Sequence, residues 1–134
     1  MTRRVVIDMA PRARGMHQIT AEVIDALGHL PETGWVDILV QHTSAGLTLN
    51  ENTDPDVALD LMDALDRLAP RGGHRHDAEG PDDMPAHVLA TLVGSTVGIP
   101  IHGGRLDLGT WQGIYLAEFR DRPRTRRLVC VVRD

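Results

Sequence analysis

Histidines are the most prominent side chains of this sequence that could bind a metal ion or transfer a proton. The chain has seven histidines, one cysteine and no lysine. Because a side-chain Schiff base and the P-loop phosphate site both need lysine, those two chemistries are excluded. The single Cys130 lies in an apolar run and excludes an internal disulfide and Cys-x-x-Cys metal sites. Imidazoles and carboxylates are therefore the strongest candidates for metal binding or catalysis.

The first candidate, His42, ends a predicted strand. Val36, Ile38 and Val40 share one face of that strand with His42, so its ring is expected to point into the protein. A histidine in this position is either a hydrogen-bonded core residue or a site residue held by a rigid strand. Small and polar residues follow it directly (residues 43–46), which favours the second interpretation, because ligands are often met by loops at strand ends.

A second group of candidates comprises His76, Asp83 and His87, which fall within twelve residues. His76 lies in the glycine-, histidine- and aspartate-rich stretch 70–81, and Asp83 and His87 lie at the start of a predicted helix. With His42 they form a set sufficient for a metal site in which carboxylates orient the imidazoles. We therefore hypothesise that His42, His76 and His87 converge around one cation, with Asp83 in or near its coordination shell. The alternative is that the loop histidines are simply solvated.

A third group follows a glycine near the end of the chain and contains Trp111, Gln112 and Glu118. Gln112 and Glu118 have the same parity on a predicted strand whose other residues on that face are apolar. If buried, both need hydrogen-bonding partners, and a lone carboxylate is costly to bury unless a cation or donor meets it. We expect Glu118 near the cation, with Gln112 and Trp111 shaping the pocket. An exposed face with scattered polar residues is the alternative.

These groups must be positioned by an irregular series of helices and strands. The expected strands are 3–9, 34–42, 96–101, 111–119 and 126–132, with a short extension after Gly46. Helices are expected from Thr20 as N-cap to about residue 28, from Asp54-Pro55 to about residue 69 with an apolar stripe, and over about 85–93. Because helices and strands do not alternate regularly, the order predicts a single α+β domain over 1–134, with mainly antiparallel sheets and two to three helices.

Charge and composition argue against several partners. The 14 arginines are outnumbered by 19 acidic residues, which leaves a net charge of −5, and aromatic residues make up 3% of the chain. Nucleic-acid binding needs an excess of cations or stacking aromatics, so it is not expected. Arginines concentrate in 1–14 and 120–134, where they form either solvated strand edges or an anion-facing rim. No membrane span and no secretion signal are recognised, and a cytoplasmic location is expected.

Three long motifs resemble those of a known family, the YjbQ family, which is also named the secondary thiamine-phosphate synthase family. In chain order these motifs are Gln41–Asn52 with Asp54-Pro55, His76–Gly80 with Asp82–His87, and Gly109–Ile114. The resemblance covers nearly the whole chain. It implies a compact α+β domain, a homotrimer and a weak activity that joins a hydroxymethylpyrimidine diphosphate to a thiazole phosphate, releasing pyrophosphate.

The resemblance also implies roles for individual residues. His42, His76 and His87 become the metal or catalytic histidines, and further residues fall in the same motifs, namely Asn50, Asn52, Trp111, Gln112 and Glu118. A divalent metal ion and a phosphorylated small-molecule substrate are expected. A three-histidine site suits a zinc-like ion better than magnesium, which stays possible. The alternative function is a metal- or metabolite-binding trimer without turnover.

Overall fold

Two antiparallel sheets and three helices make up the computed structural model, which describes all residues from Met1 to Asp134. In chain order the elements are β1 (Thr2–Met9), β2 (Gly15–Gln18), α1 (Thr20–Leu27), β3 (Thr33–Val40), β4 (Ala45–Glu51), α2 (Pro55–Leu68), α3 (Asp83–Val93), β5 (Thr96–His102), β6 (Arg105–Leu106), β7 (Gln112–Glu118) and β8 (Arg126–Arg133). The predicted single α+β domain with mainly antiparallel sheets is confirmed.

The larger sheet has five strands in the order β1-β8-β3-β5-β6. Its inner face carries Val36, Ile38 and Val40 of β3, all of them buried, as their alternation along the strand predicts. These residues belong to a core of 17 buried residues that includes Val23 and Leu27 of α1 and residues of the smaller sheet. The loop after β3 therefore leaves the sheet from the end of its central strand.

The smaller sheet has three strands in the order β2-β7-β4, so β7 is its central strand. This position explains why β7 is buried from Gly113 to Glu118. Its pairing with β4 places Ala45 opposite Glu118 at one end and Glu51 opposite Gln112 at the other. The four-residue β2 was not predicted, because so short a strand carries too few residues for a recognisable alternation.

The helix starts agree with the predictions in one case and differ in another. Asp54 is the N-cap of α2, and its carboxylate accepts a hydrogen bond from the Asp56 N–H at 2.9 Å. Thr20 was predicted to be the N-cap of α1, but Ile19 holds that position. The Thr20 hydroxyl instead accepts the N–H of Ile114 at 2.9 Å, because β7 passes beside the helix start.

Helices α2 and α3 cover the smaller sheet. The predicted apolar stripe of α2 consists of Val57, Leu61, Leu65 and Leu68, and it is only partly covered. The first three residues are half-buried and Leu68 is 64% exposed, whereas the one buried residue of the helix is Met62. Helix α3 packs on β4 and ends at Gly94, whose φ of 96° favours glycine. His87, one turn into the helix, contacts the loop 41–44 that connects β3 to β4. None of the three helices has the length and apolar character needed to cross a bilayer.

Candidate functional site

Two histidines and one aspartate meet where the loop 69–82 joins α3. Nε2 of His76 lies 2.7 Å from Oδ2 of Asp83, and Nε2 of His87 lies 3.1 Å from the same oxygen. Asp83 and His87 are one helical turn apart, so both project from one face of α3. His76 reaches them from the loop, and the two imidazole centres are 5.4 Å apart. The expected meeting of His76, Asp83 and His87 is therefore seen in the structure.

The hydrogen bonds of His87 indicate what this arrangement can hold. Nδ1 of His87 lies 2.8 Å from the carbonyl oxygen of Thr43. A carbonyl only accepts hydrogen bonds, so Nδ1 carries the proton. In the neutral ring, Nε2 then directs a lone pair at Oδ2 of Asp83. Two acceptors at this distance require a proton or a cation between them, and an imidazole oriented by a backbone carbonyl is typical of metal ligands.

Asp83 is held as a carboxylate in a nearly water-free position. Its side chain is 3% exposed, and its second oxygen, Oδ1, accepts a hydrogen bond from Arg120 at 2.7 Å. Burial alone would raise the pKa of Asp83, but the hydrogen bond from His76 and the charge of Arg120 lower it below its ordinary value. Oδ2 faces both imidazoles, and the three ligand atoms lie within 4.8 Å of one another.

The cluster borders an open cavity. A cavity of about 330 Å³ is lined by polar residues from three segments, namely Gln41–Ser44, Glu79 with Asp83 and His87, and Arg120, Arg124 and Arg126. A second cavity, of about 510 Å³, continues along α3 and shares His42, Thr43 and His87 with it. This space is large enough for a small molecule.

His42 lines both cavities but does not join the three-residue cluster. Its Nε2 accepts a hydrogen bond from the backbone N–H of Arg127 at 2.8 Å. Burial, and then the charge of Arg126, lowers the pKa of His42 below its ordinary value. The neutral ring, with Nε2 occupied, carries its proton on Nδ1 and offers a hydrogen-bond donor to the cavity.

Glu118 is paired with an arginine of the same chain. Its oxygens accept two bonds from Arg126, from Nε at 2.8 Å and from Nη2 at 2.5 Å, and both residues are almost fully buried. Arg126 Nη2 also donates to the hydroxyl of Ser44 at 3.0 Å. The expectation that burial of Glu118 needs a partner is therefore met by Arg126, which sequence reasoning missed. The buried Glu118–Arg126 pair therefore holds the loop 41–44 through Ser44.

The remaining predicted residues lie at the other end of the smaller sheet. Along the seven residues of β7, Gln112 and Glu118 are separated by roughly 20 Å at about 3.3 Å per residue. Trp111 is 64% exposed, and the Gln112 side chain accepts the N–H of Gly109 at 2.8 Å. Asn50 bonds only to the next residue along the strand. Within one chain, these residues do not share the pocket with the histidines.

Asn52 fixes this distant turn. Its Nδ2 donates to the carbonyl oxygens of Thr110 and Gln112, both at 3.1 Å, and its backbone N–H donates to the carbonyl of Trp111 at 3.0 Å. The asparagine therefore acts as a structural link between the end of β4 and the start of β7. The exposed Trp111 side chain therefore lies on a turn that the hydrogen bonds of Asn52 hold in place.

The chain is similar to proteins known from sequence and structure. A family profile described as UPF0047 protein YjbQ-like matches residues 5–134. The UPF0047 protein YjbQ of Escherichia coli O157:H7 is 40% identical over 129 residues, covering 94% of each chain. UPF0047 protein YugU of Bacillus subtilis is 43% identical and covers 83% of each chain. A conserved hypothetical protein from Thermus thermophilus is 40% identical, with a TM-score of 0.79 and coverage of 93% of this chain and 97% of that one.

Proposed function

This chain belongs to the UPF0047 YjbQ-like family, and from that premise we propose that it is a small-molecule enzyme with a divalent metal site formed by His76, Asp83 and His87. The observation that carries the proposal is the hydrogen bond from Nδ1 of His87 to the Thr43 carbonyl. This bond fixes the ring so that the lone pair of Nε2 points at the carboxylate of Asp83. Nitrogen ligands favour a zinc-like ion, and magnesium is the second choice.

The surrounding residues hold the three ligands in place. Arg120 occupies Oδ1 of Asp83 and leaves Oδ2 to the metal side. The carbonyl of Thr43 orients His87, and the loop that carries Thr43 is in turn held by the bond from Arg126 to Ser44. Three protein ligands leave at least one coordination position for a substrate oxygen, as in catalytic zinc sites. His42 faces the same cavity and supplies a hydrogen-bond donor.

The reaction proposed is that of a thiamine-phosphate synthase, as a weak or secondary activity. A ring nitrogen of the thiazole phosphate attacks the methylene carbon of the pyrimidine diphosphate. A C–N bond forms, the C–O bond to the diphosphate breaks, and the electron pair leaves with pyrophosphate. A bound divalent cation supplies positive charge that stabilises such a leaving group. This proposal is supported by the polar cavity of about 330 Å³ beside the cluster, which is large enough for a small molecule.

A second candidate is a binding protein without turnover. It is favoured by the state of Ser44, a buried hydroxyl that lines the cavity, and of the buried Glu118 carboxylate, which does not line it. Both are occupied by Arg126, so neither is positioned as a nucleophile or a general base. In that case the cluster would hold a metal ion or a metal-bound metabolite, and a substrate screen would find no product.

The test is metal analysis of protein purified without an affinity tag. We expect one zinc-like ion per chain in the parent and its loss in His87→Ala. His17→Ala is the matched control, because His17 lies on β2 and bonds only to the Ala13 carbonyl. Equal metal content in His87→Ala and the parent would refute the metal site. A substrate screen with and without chelator then separates the enzyme from the binding protein.

We also propose that the chain forms a homotrimer through the outer face of the five-stranded sheet. Val6 pairs with Val129 and Leu39 pairs with the same residue, so the three form an apolar row across three strands. Val6 and Leu39 are 39% and 37% exposed. Sedimentation equilibrium should give three times the chain mass of 14.7 kDa; a monomer mass would refute it.

A cytoplasmic location stays a prediction.

A further inference from the structure

Three arginines line the cavity beside the cluster, and two of them are occupied by partners within the chain. Arg120 donates from two nitrogens to carboxylates, including Oδ1 of Asp83 at 2.7 Å. Arg126 donates to both oxygens of Glu118 and to Ser44. These two guanidinium groups are part of the framework and have little donor capacity left for a ligand.

Arg124 is the third arginine, and its surroundings differ. It is half-buried, and none of its nitrogens forms an ion pair with a carboxylate. Its one hydrogen bond is a long contact of 3.5 Å from Nε to the carbonyl of Arg122. A half-buried guanidinium without a counter-ion keeps its N–H donors available to an anion from outside. Arg124 therefore has an unused planar fork that borders the cavity.

Three other donors with unused capacity line the same cavity. They are the amide of Gln41, the Nδ1–H of His42 and the hydroxyl of Thr43, and no hydrogen bond within the chain engages any of them. Asp83 and His87, which we assign to the cation, line it as well. The cavity therefore combines ligands for a cation with a set of unpaired donors that suits an anion.

We propose that Arg124, assisted by Gln41, His42 and Thr43, binds a phosphate group of the substrate that also contacts the cation. This inference rests on the proposed function for the identity of the cation. A phosphate has enough oxygens to place two on the guanidinium fork and another on the metal. A carboxylate brings only two oxygens and a single charge to the same donors and cation. A phosphorylated compound therefore fits this set of donors better than a simple carboxylic acid.

The test is calorimetric titration of inorganic phosphate into the zinc-loaded protein. We expect Arg124→Gln to weaken phosphate binding at least about tenfold, the size expected for hydrogen bonds to a charged group. Arg122→Gln is the matched control, because Arg122 is exposed, belongs to the same turn and does not line the cavity. It should bind phosphate as the parent does. Zinc content should be the same in both variants.

Two results would overturn the inference. One is equal phosphate affinity in Arg124→Gln and the parent, or an equal loss in Arg124→Gln and Arg122→Gln, which would indicate general surface charge. The other is acetate binding as tightly as phosphate. Failure of the proposed metal site is recognised separately, by a parent without bound zinc. The comparison of Arg124→Gln with Arg122→Gln is then made on metal-free protein and still decides whether Arg124 binds phosphate.

Discussion

The molecule contains two regions with buried carboxylates, and they are built for different purposes. In the interior under the loop 41–44, both oxygens of Glu118 are bonded to Arg126, and the pair is 1% and 3% exposed. At the start of α3, Asp83 is as deeply buried, but only Oδ1 is bonded to an arginine. Its Oδ2 faces His76 and His87 at the border of a cavity.

The difference shows that burial alone does not identify a site carboxylate. What distinguishes Asp83 from Glu118 is the kind of group that faces its second oxygen. A guanidinium is permanently charged and fills the geometry of a carboxylate, so the Glu118 pair is complete. An imidazole with its other nitrogen fixed as a donor presents a lone pair, so the Asp83 group is complete only with a proton or a cation.

Breaking the buried Glu118–Arg126 pair should give the largest effect. Arg126→Met removes the guanidinium but leaves the Glu118 carboxylate buried, so we expect the free energy of unfolding to fall by about 3–5 kcal/mol. Chemical denaturation measures it. The double variant Arg126→Met with Glu118→Leu should recover much of the loss, since no charge then stays unpaired. A loss below about 1 kcal/mol in the single variant would show that the pair is hydrated.

Removing the Asp83 carboxylate at the start of α3 should affect metal affinity more than stability. Asp83→Asn keeps the size of the side chain but removes the charge, so we expect zinc affinity to fall at least about 100-fold, or 2.7 kcal/mol. Competition with a chromogenic chelator measures it. Glu118→Gln is the control for charge: folded Glu118→Gln should bind zinc within a few-fold of the parent. If both variants lost zinc equally, the distinction between the regions would be wrong.

The residues of the Asp83 group could be predicted from the sequence, because they are close together along the chain. Asp83 and His87 are one helical turn apart, and His76 precedes them by a short loop, so their meeting follows from local structure. The start of α2 at Asp54-Pro55 and the buried face of β3 are local in the same sense. Each of these predictions needs only a helix cap or a strand alternation.

Long-range partners could not be predicted in the same way. The alternation of β7 shows that Glu118 and Gln112 share a face, but not that one end of the strand lies at the pocket and the other roughly 20 Å away. The family motifs placed Trp111, Gln112 and Asn50 with the histidines, yet a motif carries no distance. Arg126 was missed because its role depends on pairing between strands; the need of Glu118 for a donor was the available signal.

Cys130 is buried in the main hydrophobic core, and its thiol allows the burial to be tested by the pH dependence of stability. Burial raises the pKa of the Cys130 thiol from 9.0 to about 11. The unfolded chain therefore loses this proton at lower pH than the folded one, and the stability present below pH 9 decreases as pH rises towards 11. At 1.36 kcal/mol per pH unit, the decrease is at most about 2.7 kcal/mol. Denaturation of Cys130→Ala should lack this part of the decline, and parallel profiles would show that water reaches the thiol.

The smallest effect is expected at the other end of the smaller sheet. Trp111 is 64% exposed and lies on a turn held by Asn52, so Trp111→Ala removes few contacts within the chain. We expect zinc affinity to be unchanged and the free energy of unfolding to change by no more than about 0.5 kcal/mol. A loss of zinc comparable to that of Asp83→Asn would contradict the separation of the two ends. If turnover alone fell, the Trp111 turn would have to act on the pocket of a neighbouring copy, because within one chain the length of β7 keeps it away from the histidines.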